Sequence, residues 1–282
     1  MEGIARHIHL SEVGSTNSYA RQLLKQGTIL PEFTLIEADA QTNGRGQQGN
    51  HWESEPCCNL TFSIVLHPLF LPVSCQFLLS QSIALSVCEA LKCLVQKQGT
   101  GLNAEMEFTV KWPNDIYYAD LKISGTLIES TIQGNKLATS IIGTGVNVNQ
   151  QQFHSDAPNP VSLYQILGHE TDRTALLTDI VQRFTDYYQL LAQSQFDIVR
   201  RQYMATLYRR QGFHLFEDAQ GPFSASIADV EPTGHLLLRR TDGTLSRYEF
   251  KCLKFVSAVG PRRSLDEPKR FAITAFPGTP DP

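Results

Sequence analysis

The sequence predicts an α+β fold: a mixed, largely antiparallel sheet flanked by helices, followed by a small β-barrel-like module. Three observations carry this prediction. Short β-rich runs cluster between positions 33 and 143, with long apolar-periodic helices beside and after them. A series of short strands separated by turn pairs then fills positions 213–257. Finally, 41% hydrophobic and 18% charged residues in a chain of 282 give an ordinary globular composition with ample core material. That length corresponds to one large domain with an appendage, or to two domains. The expected division is 1–208, 209–260 and a Pro-, Gly- and charge-rich tail at 261–282.

The elements follow in order. Ser15 or Thr16 caps a helix over Asn17–Gln26, and Gly27 ends it. Phe33–Ala38 reads as a strand, Asn43–Gly49 as a glycine-rich loop and Asn59–Leu66 as a β-rich strand. Ser74 is the expected cap of a long helix ending at Gly99, with Phe77, Leu78, Ile83, Val87, Leu91, Leu94 and Val95 near a 3.6 period. Its polar members Ser80, Gln81, Ser82, Ser86, Glu89 and Lys92 would lack partners in a bilayer, so it is expected to be a core helix. Phe108–Lys111, Ile116–Tyr118, Thr126–Ile132 and Lys136–Gly143 are strands, the last two joined at Gln133-Gly134-Asn135. Helices are expected from Asp172 through Leu191 and over Phe196–Tyr208. Phe213–Glu217, Phe223–Asp229, Leu236–Arg240, Ser246–Phe250 and Lys254–Ser257 form the module.

Charge and cysteine usage bound the function. With 24 Lys+Arg against 28 Asp+Glu the net charge is −4, which argues against binding nucleic acid through a broad basic face. The N-terminus lacks a basic start followed by an apolar run, so no signal peptide is expected. Six cysteines, with Cys57 and Cys58 adjacent and no CxxC pair, describe no disulfide framework, and the eight histidines show no metal-ligand spacing. A reduced cytoplasmic setting, away from membranes, is the expectation.

Five segments carry chemistry. Gly44-Arg45-Gly46-Gln47-Gln48-Gly49 matches GxGxxG, but a loop and strand follow it where a dinucleotide fingerprint needs a helix, and no acid stands near Leu69. A nicotinamide-dependent oxidoreductase is thereby excluded. The segment is either a hairpin turn at Asn43-Gly44 or a loop exposing backbone N–H groups and a cation to an anion, with Trp52 close behind. Lys111-Trp112-Pro113-Asn114-Asp115 joins a cation, an amide and a carboxylate at a forced turn. Lys122 opens a strand three residues ahead of Gly125, and Gly143-Thr144-Gly145-Val146-Asn147 ends one with two glycines and an amide.

Taken in order, Ser15-Thr16-Asn17, GRGQQGNHW, KWPND, KISGTLIE and GTGVNVN closely resemble the biotin protein ligases. The motifs span Ser15 to Asn149, and positions 209–260 fit that family's SH3-like C-terminal domain by position and pattern. The resemblance implies a class II synthetase-like catalytic fold that joins biotin to ATP as biotinyl-5′-adenylate. It implies a second step that passes biotin to a lysine of a biotin carboxyl carrier domain, with Mg²⁺ alongside ATP. By the same resemblance, Lys122 bridges biotin carboxylate and α-phosphate, Arg45 holds that end from the loop, and Lys111 adds positive charge. Ser15, Thr16, Asn17 and Gln41 read the ureido ring, while Gly44, Gly46, Gly125 and Trp52 border biotin. Asn147 stands on the adenine side, Asn114 and Gln47 near the nucleotide, and Asp115 either orients the acceptor lysine or helps hold metal. Gln47 and Gln48 replace arginines common in the family loop, and a neutral amide cannot neutralise a phosphate.

Larger members carry a DNA-binding domain before this pattern, so a ligase without repressor activity and without DNA binding is expected here, as monomer or homodimer. A lipoate or octanoate ligase of the same fold is the nearest alternative, and a non-catalytic biotin sensor a further one.

Overall fold

The computed structural model describes residues 3–46, 50–97, 107–155 and 157–256. Gly99, Gln47, Gln48 and the tail expected at 261–282 lie outside the described residues.

Seven strands form the larger sheet. β1 (Arg6–Val13), β2 (Thr34–Gln41), β3 (Leu60–Leu66), β4 (Phe108–Lys111), β5 (Asp115–Tyr118), β6 (Leu121–Gln133) and β7 (Lys136–Val146) lie in the order β1-β2-β3-β7-β6-β5-β4. Only β1 and β2 run parallel; every other neighbouring pair is antiparallel. The expected mixed, largely antiparallel sheet is therefore present. β1 was not anticipated from the sequence. Ser74 is not the cap of the long helix either: it sits inside a 3-10 turn over Val73–Cys75, and α2 (Phe77–Lys97) begins after it.

Strand β3 shows how the sequence builds the core. Leu60, Phe62, Ile64 and Leu66 belong to the main core with α2, α4 (Arg173–Ala192) and α5 (Phe196–Thr206). Val65 instead joins Ala20, Leu30, Ile36 and Ile141 beneath α1 (Thr16–Lys25). Successive strand residues point to opposite faces, so one strand serves both cores. α2 is long and apolar enough to cross a membrane by composition, yet most of it is buried inside the protein. Asp172 caps α4 as expected, its carboxylate accepting from Thr174 N and Ala175 N. A short helix, α3 (Leu163–Leu167), closes with Gly168 in the left-handed region.

The second sheet contains β8 (His214–Asp218), β9 (Gly221–Val230), β10 (Leu236–Arg240), β11 (Leu245–Tyr248) and β12 (Lys254–Phe255), in the order β11-β10-β9-β8-β12. It adjoins the first through Trp112, whose Nε1 donates to Gly234 O at 2.9 Å and whose ring lies 5.1 Å from Phe250. Phe216, Val230, Leu236 and Leu238 belong to the same core as α2 and α5.

Candidate active site

Register creates the site. β7 pairs Gly143 with Ser63 and Leu127, and Gly145 with Thr61 and Gly125. Directly opposed residues share a face, so Gly125, Gly143 and Gly145 leave a patch of bare backbone on the sheet. Side chains from other segments occupy that space. A Cβ at Gly143 would collide with the Asn17 amide, and one at Gly145 with the Trp52 indole. A cavity of about 720 Å³ opens over the patch, large enough for a small-molecule ligand.

Buried polar groups line one end. Thr16 donates to Gln41 Oε1 from its backbone N at 2.8 Å and from its hydroxyl at 3.3 Å. Ser63 Oγ lies 2.7 Å from both Thr16 Oγ1 and Asn17 Oδ1. Ser15 precedes α1 in extended backbone and is buried, but its side chain makes no capping bond.

On either side of positions 47–49, Arg45, Gly46, Asn50, His51 and Trp52 line the cavity. Arg45 pairs with His51, Gly46 N donates to Asn50 O, and Trp52 N donates to Gly44 O. The antiparallel pairing of Arg45 with His51 puts Asn43-Gly44 in an arm of this hairpin and not at its turn. A Cβ at Gly44 would strike the Trp52 carbonyl, which accounts for that glycine. After Trp52 the chain enters β3, not a helix, as the rejection of the dinucleotide fingerprint requires.

Charged side chains line the cavity as well. Lys122 Nζ lies 2.7 Å from Asp115 Oδ2 and 5.9 Å from the Trp52 ring centre. Arg45 Nη1 is 3.7 Å from Glu129 Oε1 and 3.5 Å from Ser18 Oγ. Asn114 donates from Nδ2 to Ser80 Oγ at 3.0 Å. Beyond them, Asn147 donates from Nδ2 to Val161 O at 3.0 Å, while its buried Oδ1 has no partner among the described residues. An unpaired buried acceptor is costly, so this atom is suited to receive an N–H from a ligand.

Ser15, Thr16, Asn17, Gln41, Arg45, Gly46, Trp52, Asn114, Asp115, Lys122, Gly125 and Asn147 all line this one cavity. Gly44 and Lys111 stand outside its lining. Lys111 Nζ instead donates to Tyr117 OH at 2.9 Å and lies 4.6 Å from the Tyr117 ring and 5.3 Å from Phe255. Burial among these groups pulls its pKa below the usual lysine range, against the opposing pull of Asp115.

Sequence reasoning missed three charged residues. Glu53 accepts from the backbone N of His154 and of Ser155, both at 2.8 Å, and from Gln150 Nε2 at 3.0 Å. Burial raises its pKa, but those hydrogen bonds outweigh burial and leave it below the usual carboxylate range. Glu129 holds Arg21, Arg45 and Asn17. Lys251, between β11 and β12, reaches the cavity from the second sheet. Glu129 ends the KISGTLIE segment and was visible there; Glu53 and Lys251 have no local signal.

Residues 13–147 match the Biotin/lipoate A/B protein ligase family. The curated proteins to which this chain is similar include bifunctional ligase/repressors and biotin–protein ligases. It is 31% identical over 189 residues to the bifunctional ligase/repressor BirA of Bacillus spizizenii, covering 64% of this chain and 54% of that one. It is 26% identical over 238 residues to the biotin–acetyl-CoA-carboxylase ligase of Paracoccus denitrificans, covering 83% and 94%. The chain thus spans about half the length of the bifunctional relatives it matches. The biotin protein ligase from Aquifex aeolicus, in complex with biotin and ATP, aligns at a TM-score of 0.71 and 25% identity, over 89% of this chain and 98% of that one.

Proposed function

We propose that this protein activates biotin with ATP and transfers it to a lysine of a biotin carboxyl carrier domain. The observation that carries the reading is the row of groups set by the register of β7: Asn17 over Gly143, Trp52 over Gly145 with Lys122 beside the opposed Gly125, and Asn147 with its unpartnered oxygen two residues on. That order matches biotinyl-5′-adenylate from ureido ring to adenine. In the first step a biotin carboxylate oxygen attacks the α-phosphorus and pyrophosphate leaves with the electrons of the broken P–O bond. Both reactants are anionic, so alignment and fixed positive charge are what the protein must supply. Lys122 bridges carboxylate and phosphate, and Arg45 covers them from the loop. In the second step the acceptor amine attacks the acyl carbon and AMP departs. Asp115, beside Lys122, is the carboxylate placed to take the amine proton.

Among the described residues no group of three His, Cys, Asp or Glu is arranged to hold an ion. Asp115 with Asn114 suits a Mg²⁺ that enters with the nucleotide and retains phosphate and water ligands, as this ion prefers. Such an ion would neutralise phosphate charge. We assign this chemistry to positions 1–208, with 209–260 as an SH3-like module that lends Lys251 to the cavity. The test is incubation with Mg²⁺-ATP and either biotin or lipoate, followed by mass detection of the acyl-adenylate. Biotinyl-5′-adenylate is expected, and then label on one lysine of a carrier domain. Equal or greater turnover of lipoate would overturn the biotin assignment in favour of the other branch of the family.

A further inference from the structure

Glu129, within β6, ties together side chains from α1 and from the glycine-rich loop. Its Oε2 accepts from Asn17 Nδ2 at 3.0 Å, and its Oε1 lies 3.1 Å from Arg21 Nη1 and 3.7 Å from Arg45 Nη1. Asn17 Nδ2 also donates to Leu127 O at 3.2 Å. A carboxylate paired to two arginines and a peptide carbonyl are both acceptors only. They force the amide nitrogen of Asn17 toward themselves and its oxygen the other way. There Oδ1 takes the Ser63 hydroxyl at 2.7 Å and lies over Gly143, against the cavity. One lone pair of that oxygen remains available.

We propose that Glu129 is a positioning residue for biotin: it locks the Asn17 amide with oxygen toward the cavity and holds Arg45 at the cavity's edge. This inference rests on the reading of the cavity as a biotin site. The ureido ring presents two N–H donors, and a pocket whose amide orientation is fixed will demand one of them. A ligand lacking that donor leaves the Asn17 oxygen unmatched, the arrangement from which hydrogen-bonding sites draw their selectivity. Without the carboxylate, the amide is free to rotate by half a turn and present N–H to N–H. Arg45 also loses its counter-charge and the loop loses a tether. Arg21 is the outer partner, and its role is to balance the charge of Glu129.

The test uses the full chain with Mg²⁺-ATP. Glu129→Gln substitutes a group that donates as readily as it accepts. It should raise the KM for biotin by about tenfold or more and the KM for ATP by a smaller factor, about threefold, through the loosened Arg45. Asn17→Asp alone sets one carboxylate against another and should raise the KM for biotin by about a hundredfold or more. In the double variant Asn17→Asp/Glu129→Gln the donor moves to position 129, and an oxygen again faces the cavity. Its KM for biotin should fall about tenfold or more below that of Asn17→Asp. A purely structural role for Glu129 would give no such reciprocal rescue. Glu129→Asp keeps the charge but withdraws it by one methylene, and supplies the same KM split should Glu129→Gln not fold. An unchanged biotin KM in the folded position-129 variant, or no recovery in the double variant, would overturn the proposal. A wild-type chain that forms no biotinyl-5′-adenylate would remove the functional reading and this inference with it, whereas an active wild type with unresponsive variants removes the inference alone.

Discussion

Lys122 and Asp115 form an ion pair at 2.7 Å with both side chains about one-third exposed, so the pair is accessible to a ligand and contributes little to stability. Its value lies in fixing a cation before charge develops. Lys122→Ala should therefore lose ~10²–10³ in adenylation rate while staying folded, as read by biotin-dependent pyrophosphate release beside a circular dichroism spectrum. The residues that the sequence revealed share one property: each sits in a short segment whose composition is informative by itself. Lys111 looked similar but is drawn toward Tyr117 and Phe255, the latter from the second sheet, and its ammonium is set between aromatic rings outside the cavity lining. A strand-end lysine carries no mark of which neighbours the tertiary fold will bring. Glu53 and Lys251 were hidden for the same reason: the partners of Glu53 lie about a hundred positions along the chain, and Lys251 meets the cavity only through the tertiary fold.

At the level of elements, Phe153, Ser155 and residues 157–160 border the cavity, and Glu53 holds the backbone at His154 and Ser155. The Glu53 pKa lies lower in the folded protein than in the unfolded chain. Its contribution is thus complete above the ordinary carboxylate value and disappears as pH falls through the folded-state value. The difference in Tm between wild type and Glu53→Gln should accordingly be largest near about pH 6 and narrow toward about pH 3. A constant gap across that range would show that the carboxylate charge does not hold the segment. Element type was legible wherever apolar residues kept a clear period, as in α2, α4 and β3. β1 escaped because its sequence RHIHLSEV buries little: it is a parallel edge strand whose His7 and His9 pair with Glu37 and Asp39 instead of entering the core. The start of α2 was misplaced because Pro72 leads into a 3-10 turn that takes up Ser74 first.

Across the whole molecule, the two sheets share one continuous core. The hydrogen bond from Trp112 to Gly234 links residues 122 positions apart, and the Phe77, Trp112 and Phe250 rings pack around it. Strand spacing was enough to reveal the second module, but nothing local in the sequence encodes this junction. A shared core predicts that denaturant unfolds both sheets in one transition, with near- and far-ultraviolet dichroism coincident. Trp112→Ala should cost ~3–5 kcal/mol and separate the two signals. Two resolved transitions in the wild type would mean that the sheets unfold independently.

The placement of the aromatic rings has an optical consequence. The chain contains two tryptophans: Trp112 is sealed at the junction, and Trp52 rests on Gly145 with the Lys122 ammonium 5.9 Å from its ring. Emission from Trp112 should stay constant while anything entering the cavity alters the polarity and charge around Trp52. Biotin and ATP should therefore shift the intrinsic fluorescence of the unlabelled protein, and Trp52→Phe should silence that response. Ligand occupancy can then be followed in real time with a chromophore that is already part of the binding wall.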